Sequence, residues 1–157
     1  MAVRTAGDVT VNVDRATAFS FVRDPAFLAP CIPGCRDVRE LAPNRYQAVV
    51  TTRVAFITLS FKVVVEVTRI DAPGALEASV SGDSIGPAGR VAATGVLQLS
   101  EEGERSTSIH YEADIALTGK LGGLGEPVFR TASAQLAREF GDNLKTAIEL
   151  QASGARA

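Results

Sequence analysis

The sequence predicts an α+β domain: a curved antiparallel sheet of about seven strands around one long C-terminal helix, with two short helices after the first strand. Three observations predict it. Apolar and polar residues alternate through most of residues 46–117, and apolar residues recur at three and four positions from 121 to 148. The stretch that fits neither pattern, Asp24–Cys35, holds three prolines and both cysteines and falls before the long series of strands.

Residues 8–13 alternate as a strand does. Asp14 is placed to cap a helix running to about Val22, with Ala18, Phe19 and Val22 on its buried side. Asp24-Pro25 reads as a second cap followed by proline at the first helical position, and Pro30 and Pro33 keep that helix short. Tyr46, Ala48, Val50, Thr52 and Val54 then share one strand face, as do Ile57, Leu59, Phe61, Val63, Val65 and Val67 on the next strand. The parity switch fits a two-residue hairpin at Ala55-Phe56 with Val54 opposite Ile57. Ala-Phe is poor turn chemistry, so a longer loop is equally compatible, and Phe56 belongs either at a tip or in the core. Asp71-Ala-Pro-Gly74 is a turn, Leu76, Ala78 and Val80 begin a strand, and Gly82–Pro87 breaks it. Val91–Leu99 and Ile109–Leu117 complete the meander around a charged turn at Glu101–Glu104. The final apolar stripe includes Leu121, Leu124, Val128, Ala132, Leu136, Phe140, Leu144 and Ile148, with regular helix expected from Glu126 to Val128 onward.

Strand 57–70 reaches about 46 Å if straight, and a helix over 127–149 about 35 Å. One apolar sheet face and one long apolar helix must bury each other, so the sheet is expected to curl around the helix and leave a cavity between them. At 157 residues and net charge −2, a single domain over 1–150 is expected, with a short disordered tail at 151–157. No apolar run reaches the ~18 residues of a bilayer span, and residues 1–12 lack a signal-peptide core. The expected location is cytoplasmic, and the charge gives no reason to expect nucleic acid. One histidine and no tryptophan leave imidazole chemistry and multi-histidine metal sites almost without residues.

The order β-α-α-β6-α, with Asp24-Pro25, Ala29-Pro-Cys-Ile-Pro-Gly34, Tyr111-Glu-Ala-Asp114 and Gly119-Lys-Leu-Gly-Gly-Leu-Gly125, resembles the family of the carbon monoxide dehydrogenase G subunit. That family lies within the START-like (SRPBCC) helix-grip group, and the strand spacing fits from about Val9 to Leu150. The resemblance implies a non-catalytic accessory protein for a molybdenum hydroxylase, one that carries a quinone or lipid-like molecule and brings the enzyme to the inner face of the membrane. No intrinsic cofactor is implied. Some members carry a C-terminal hydrophobic anchor. Here the sequence ends at Ala157, so membrane contact is expected from the domain itself or from a partner.

The candidate site is the concave surface: Leu59, Phe61, Val63, Val80, Val91 and Tyr111 from the sheet, Val128, Phe129, Ala132 and Leu136 from the helix, and Leu28 and Ile32 as a lid. A filled core would use the same residue types. Small helix residues (Ala132, Ala137, Gly141) favour a cavity. Tyr111 needs a hydrogen-bond partner if buried, either a protein carbonyl or a ligand. Cys31 and Cys35 lack the spacing of redox or zinc motifs and are expected as free thiols. Gly119–Gly125 lacks the ending of a phosphate loop and reads as a connection able to gate the cavity mouth. His110, Glu112 and Asp114 share an outward strand face. A cyclase or hydrolase would need titratable groups on the inward face, which has almost none. A pure protein-interaction module, docking by the sheet edge or hairpin tip, is the remaining alternative.

Overall fold

The computed structural model describes residues 2–86 and 89–154. Its strands are β1 (Ala2–Val11), β2 (Cys35–Ala42), β3 (Arg45–Val54), β4 (Ile57–Asp71), β5 (Ala75–Ser84), β6 (Arg90–Gly103) and β7 (Ser106–Thr118). They form one antiparallel sheet in the order β1-β7-β6-β5-β4-β3-β2. Between β1 and β2 lie α1 (Arg15–Val22), α2 (Pro25–Leu28) and a 3-10 turn at Ala29–Cys31, and after β7 comes α3 (Glu126–Gly154). This is the START-like, helix-grip architecture.

Local chemistry accounts for the boundaries. The Asp14 carboxylate caps α1 by accepting from the Thr17 N–H (3.1 Å) and hydroxyl (2.6 Å). Asp24 accepts from the Ala26 N–H at 3.0 Å, and Pro25 starts α2 where no donor is needed. The β3–β4 hairpin closes through Ala55-Phe56 with Val54 opposite Ile57. Ala55 takes a φ of +54°, and Phe56, 95% exposed, stands at the tip rather than in the core.

Two elements run past their expected ends. β5 continues through Gly82 to Ser84, because a side chain at Gly82 would collide with the Lys62 carbonyl of β4 and glycine lets the strands stay close. Pro87, part of the expected break, lies outside the described residues. The tail expected from 151 is instead helical as far as Gly154, since Ala152 still packs on the core. Residues 155–157 lie outside the described residues, as do the side chains of Leu121 and Leu124.

The interior holds two apolar clusters. One joins α1 and the C-terminal half of α3 to the sheet through Val11, Phe19, Val22, Leu97, Ile109, Tyr111, Leu144 and Ile148. The other gathers Val3, Ala48, Val54, Leu59, Phe61, Val63, Leu117 and Phe129 at the end where α3 begins. Between them Ala78, Gly95 and Ala113, cross-strand partners on β5, β6 and β7, form a band of small residues.

Tyr111 overturns one expectation. Its ring meets Phe140 edge-on at 5.2 Å, and its hydroxyl lies where a side chain at Gly7 or Gly141 would be. Gly141 therefore makes room for a tyrosine, not for a cavity. No hydrogen bond to this hydroxyl occurs among the described residues, so neither a carbonyl nor another side chain explains it. Burial is the first cause of its raised pKa. Gly141→Ala should destabilise the fold by about 1–3 kcal/mol through overpacking, although alanine favours helix by about 1 kcal/mol. Tyr111→Phe should restore part of that loss in the double variant. Thermal unfolding of the three variants checks this, and a gain in Tm for Gly141→Ala alone would contradict it.

Candidate ligand-binding groove

The helix is fastened to one side of the sheet. α3 packs chiefly along β1, where the Lys145 ammonium donates to the Thr10 carbonyl (2.6 Å) and the Asn12 N–H donates to the Glu149 carboxylate (3.2 Å). Towards β3 its contacts are sparse. On that side a groove of about 690 Å³ opens between helix and sheet.

The helix wall of the groove is two adjacent ridges, each at i, i+4 spacing. Val128, Ala132 and Leu136 form an apolar ridge, and Thr131, Gln135 and Glu139 a polar one. The facing wall is Thr51, Thr52 and Arg53 of β3 with Ala55 of the hairpin turn, and Pro33, Gly34 and Pro127 complete the rim. Gly34 has φ +75°, and any side chain there would strike the Thr51 carbonyl. Glycine thus lets the segment lie on β3, where the Thr51 N–H donates to the Gly34 carbonyl at 3.0 Å.

Of the expected site residues, Val128, Ala132 and Leu136 line this groove. Leu59, Phe61, Val63 and Phe129 are buried behind it in the second cluster, with Val80 and Val91 partly buried around them. Tyr111 and Leu28 belong to the first cluster. Ile32 is 37% exposed, and Pro33 and Gly34 take the place at the rim that Leu28 and Ile32 were expected to fill. The polar wall escaped the sequence reading. Its signal was the Thr131, Gln135, Glu139 spacing directly beside the apolar stripe.

The model of the CoxG family, the G subunit of carbon monoxide dehydrogenase, matches residues 7–149. The chain belongs to that family. No curated protein matches it. Among solved structures it is similar to a conserved protein from Geobacillus kaustophilus (24% identity, TM-score 0.82, covering 94% of this chain and 95% of that one). It is also similar to a START superfamily protein from Mycobacterium smegmatis (13%, 0.68, 94% and 98%). The Zhui aromatase/cyclase from Streptomyces sp. R1128 shares the fold as well (10%, 0.68, 95% and 94%). At these identities the likenesses establish the fold alone.

Outside the groove, this CoxG-family domain carries a polar cluster on the outer sheet face. His110 Nδ1 lies 2.8 Å from Asp8 Oδ1 and Nε2 lies 2.9 Å from Glu112 Oε1. Arg4 donates to Glu112 at 2.7 Å. Among the described residues no group of His, Cys, Asp and Glu side chains is arranged to hold a metal, and no helix is long and apolar enough to cross a membrane. Cys31 and Cys35 are free, and burial raises both thiol pKa values.

The Glu112 hydrogen bond, then that of Asp8, holds the His110 pKa above 6.5. The His110 contact, then that of Arg4, holds Glu112 below 4.5. The raised imidazole stabilises the fold at low pH and loses that contribution as pH climbs through its folded value. The lowered carboxylate stabilises at higher pH and loses its contribution as pH falls through its folded value. Both act together between about pH 4.5 and 6.5. The Tm advantage of the wild type over His110→Gln should be largest in that window and shrink by about pH 9. An undiminished advantage at alkaline pH would refute it.

Proposed function

We propose that this protein is a non-catalytic carrier that holds a quinone or lipid-like molecule between α3 and β3 and serves a molybdenum hydroxylase of the carbon monoxide dehydrogenase type. Its place would be at the inner face of the membrane. The observation that carries this reading is the pair of ridges in the groove. An elongated ligand would lay its apolar part on Val128, Ala132 and Leu136, at about 25 cal/mol per Å² buried before ordering costs. Thr131, Gln135 and Thr52 offer donors and acceptors for a carbonyl or hydroxyl head group.

The cyclase alternative finds less support. The ionisable side chains lining the groove are Arg53 and Glu139, on opposite walls, and an acid–base mechanism needs a matched pair around a reacting atom. Family membership and the groove's composition both favour carriage over chemistry.

Calorimetric titration with decylubiquinone tests the reading. Leu136→Trp should fill the groove and weaken binding by about tenfold or more, and Gln135→Ala should weaken it several-fold through loss of a head-group hydrogen bond. Unchanged affinity in Leu136→Trp would remove the groove as the site. Co-purification of hydroxylase subunits with a preparation that binds no quinone would favour the interaction-module reading instead.

A further inference from the structure

The two ends of the sheet differ in a way that folding does not require. At the end where α3 begins, the β3–β4 hairpin carries Phe56 at its tip, 95% exposed, followed by Ile57 at 42%. Beside it the β5–β6 loop presents Ile85, 62% exposed, held there by its N–H donating to the Ser60 carbonyl at 2.7 Å. Asn-Gly or Gly-containing pairs suit such a turn far better than Ala-Phe, and Ala55 sits in the left-handed region that penalises a side chain. The residue choice at this tip works against stability, and the exposed aromatic ring gains nothing within the molecule.

Charge distinguishes this end further. Asp83 is paired with Arg90 and Glu126 with Arg130, whereas Arg53 and Lys120, both exposed, enter no ion pair among the described residues. The opposite end also exposes apolar side chains, notably Leu41, Ile70 and Leu150. There, however, the β6–β7 hairpin carries Glu101, Glu102 and Glu104 against Arg105 alone. This end thus places two cations outside any ion pair, Arg53 and Lys120, beside the most exposed aromatic side chain among the described residues.

We propose that this end docks on an anionic lipid bilayer, with Phe56, Ile57 and Ile85 entering the interfacial layer and Arg53 and Lys120 engaging the headgroups. Exposed apolar side chains flanked by cations are the combination that binds such a surface. Ala55 and Pro127 of the same end line the groove, so docking turns the groove's mouth toward the bilayer. In its purpose the proposal rests on the carrier reading.

Sedimentation of the full chain with vesicles of equimolar phosphatidylcholine and phosphatidylglycerol, and of phosphatidylcholine alone, tests it. The wild type should bind the anionic vesicles more tightly and lose that preference in high salt. Phe56→Ser should weaken binding by about tenfold or more with unchanged Tm and unchanged decylubiquinone affinity. The Arg53→Glu, Lys120→Glu double variant should lose the anionic preference, while Leu150→Ser at the far end should bind as wild type. Leu136→Trp should keep vesicle binding whatever it does to quinone binding, which separates this surface from the groove. Failure of the wild type to bind either vesicle, or wild-type binding by Phe56→Ser, would overturn the proposal. Capture of hydroxylase subunits through Phe56 without vesicle binding would overturn it in favour of a protein partner.

Discussion

The asymmetric attachment of α3 governs the rest of the molecule. On the β1 side the helix is pinned by polar ties to the strand and by the Tyr111 ring set beneath Gly141. Both glycines that flank the phenol are needed for that approach, because a side chain at either would occupy the hydroxyl's place. A helix held this closely to one edge of a curved sheet cannot also close against the other. The groove beside β3 follows from that geometry and not from any dedicated cavity-forming residue.

This explains which parts of the molecule the sequence disclosed. Strand alternation from Tyr46 to Leu117 and the α3 stripe are local patterns, and they located the elements, the hairpin register at Val54 and Ile57, and the helix-grip arrangement. The groove is tertiary. It depends on where the helix leans, and a helix stripe does not say which flank of the sheet it touches. Gly141 illustrates the difficulty: a small helix residue signals space, but only the position of Tyr111 tells whether that space is filled. Leu59, Phe61, Val63 and Phe129 show the same limit, since inward orientation places a residue in the interior without deciding between core and cavity wall.

The polar ridge of α3 also changes what the interior can hold. A purely apolar groove would take any hydrocarbon, and would discriminate poorly among ligands of similar area. Thr131 and Gln135, one turn apart and across the groove from Thr52, offer hydrogen bonds to whatever displaces water there. A hydrocarbon without a head group would offer them no partner. On the carrier reading proposed above, the groove would select amphiphiles, with the apolar ridge supplying most of the affinity and the polar ridge the selection.

Segment Asp24–Cys35 has a different role from a mobile lid. Its stiffness comes from three prolines, but its position comes from backbone ties at two points. The Asn143 amide of α3 donates to the Cys31 carbonyl at 3.1 Å, and the Gly34 carbonyl accepts from Thr51 of β3 at 3.0 Å. One end of the segment thus holds the helix and the other holds the far side of the sheet. The span between Cys31 and Gly34, made rigid by Pro33, fixes how far apart those two walls stand. The groove's width at that rim is set by this strut, which leaves the opposite end, between Ala55 and Pro127, as the end free of such a tie.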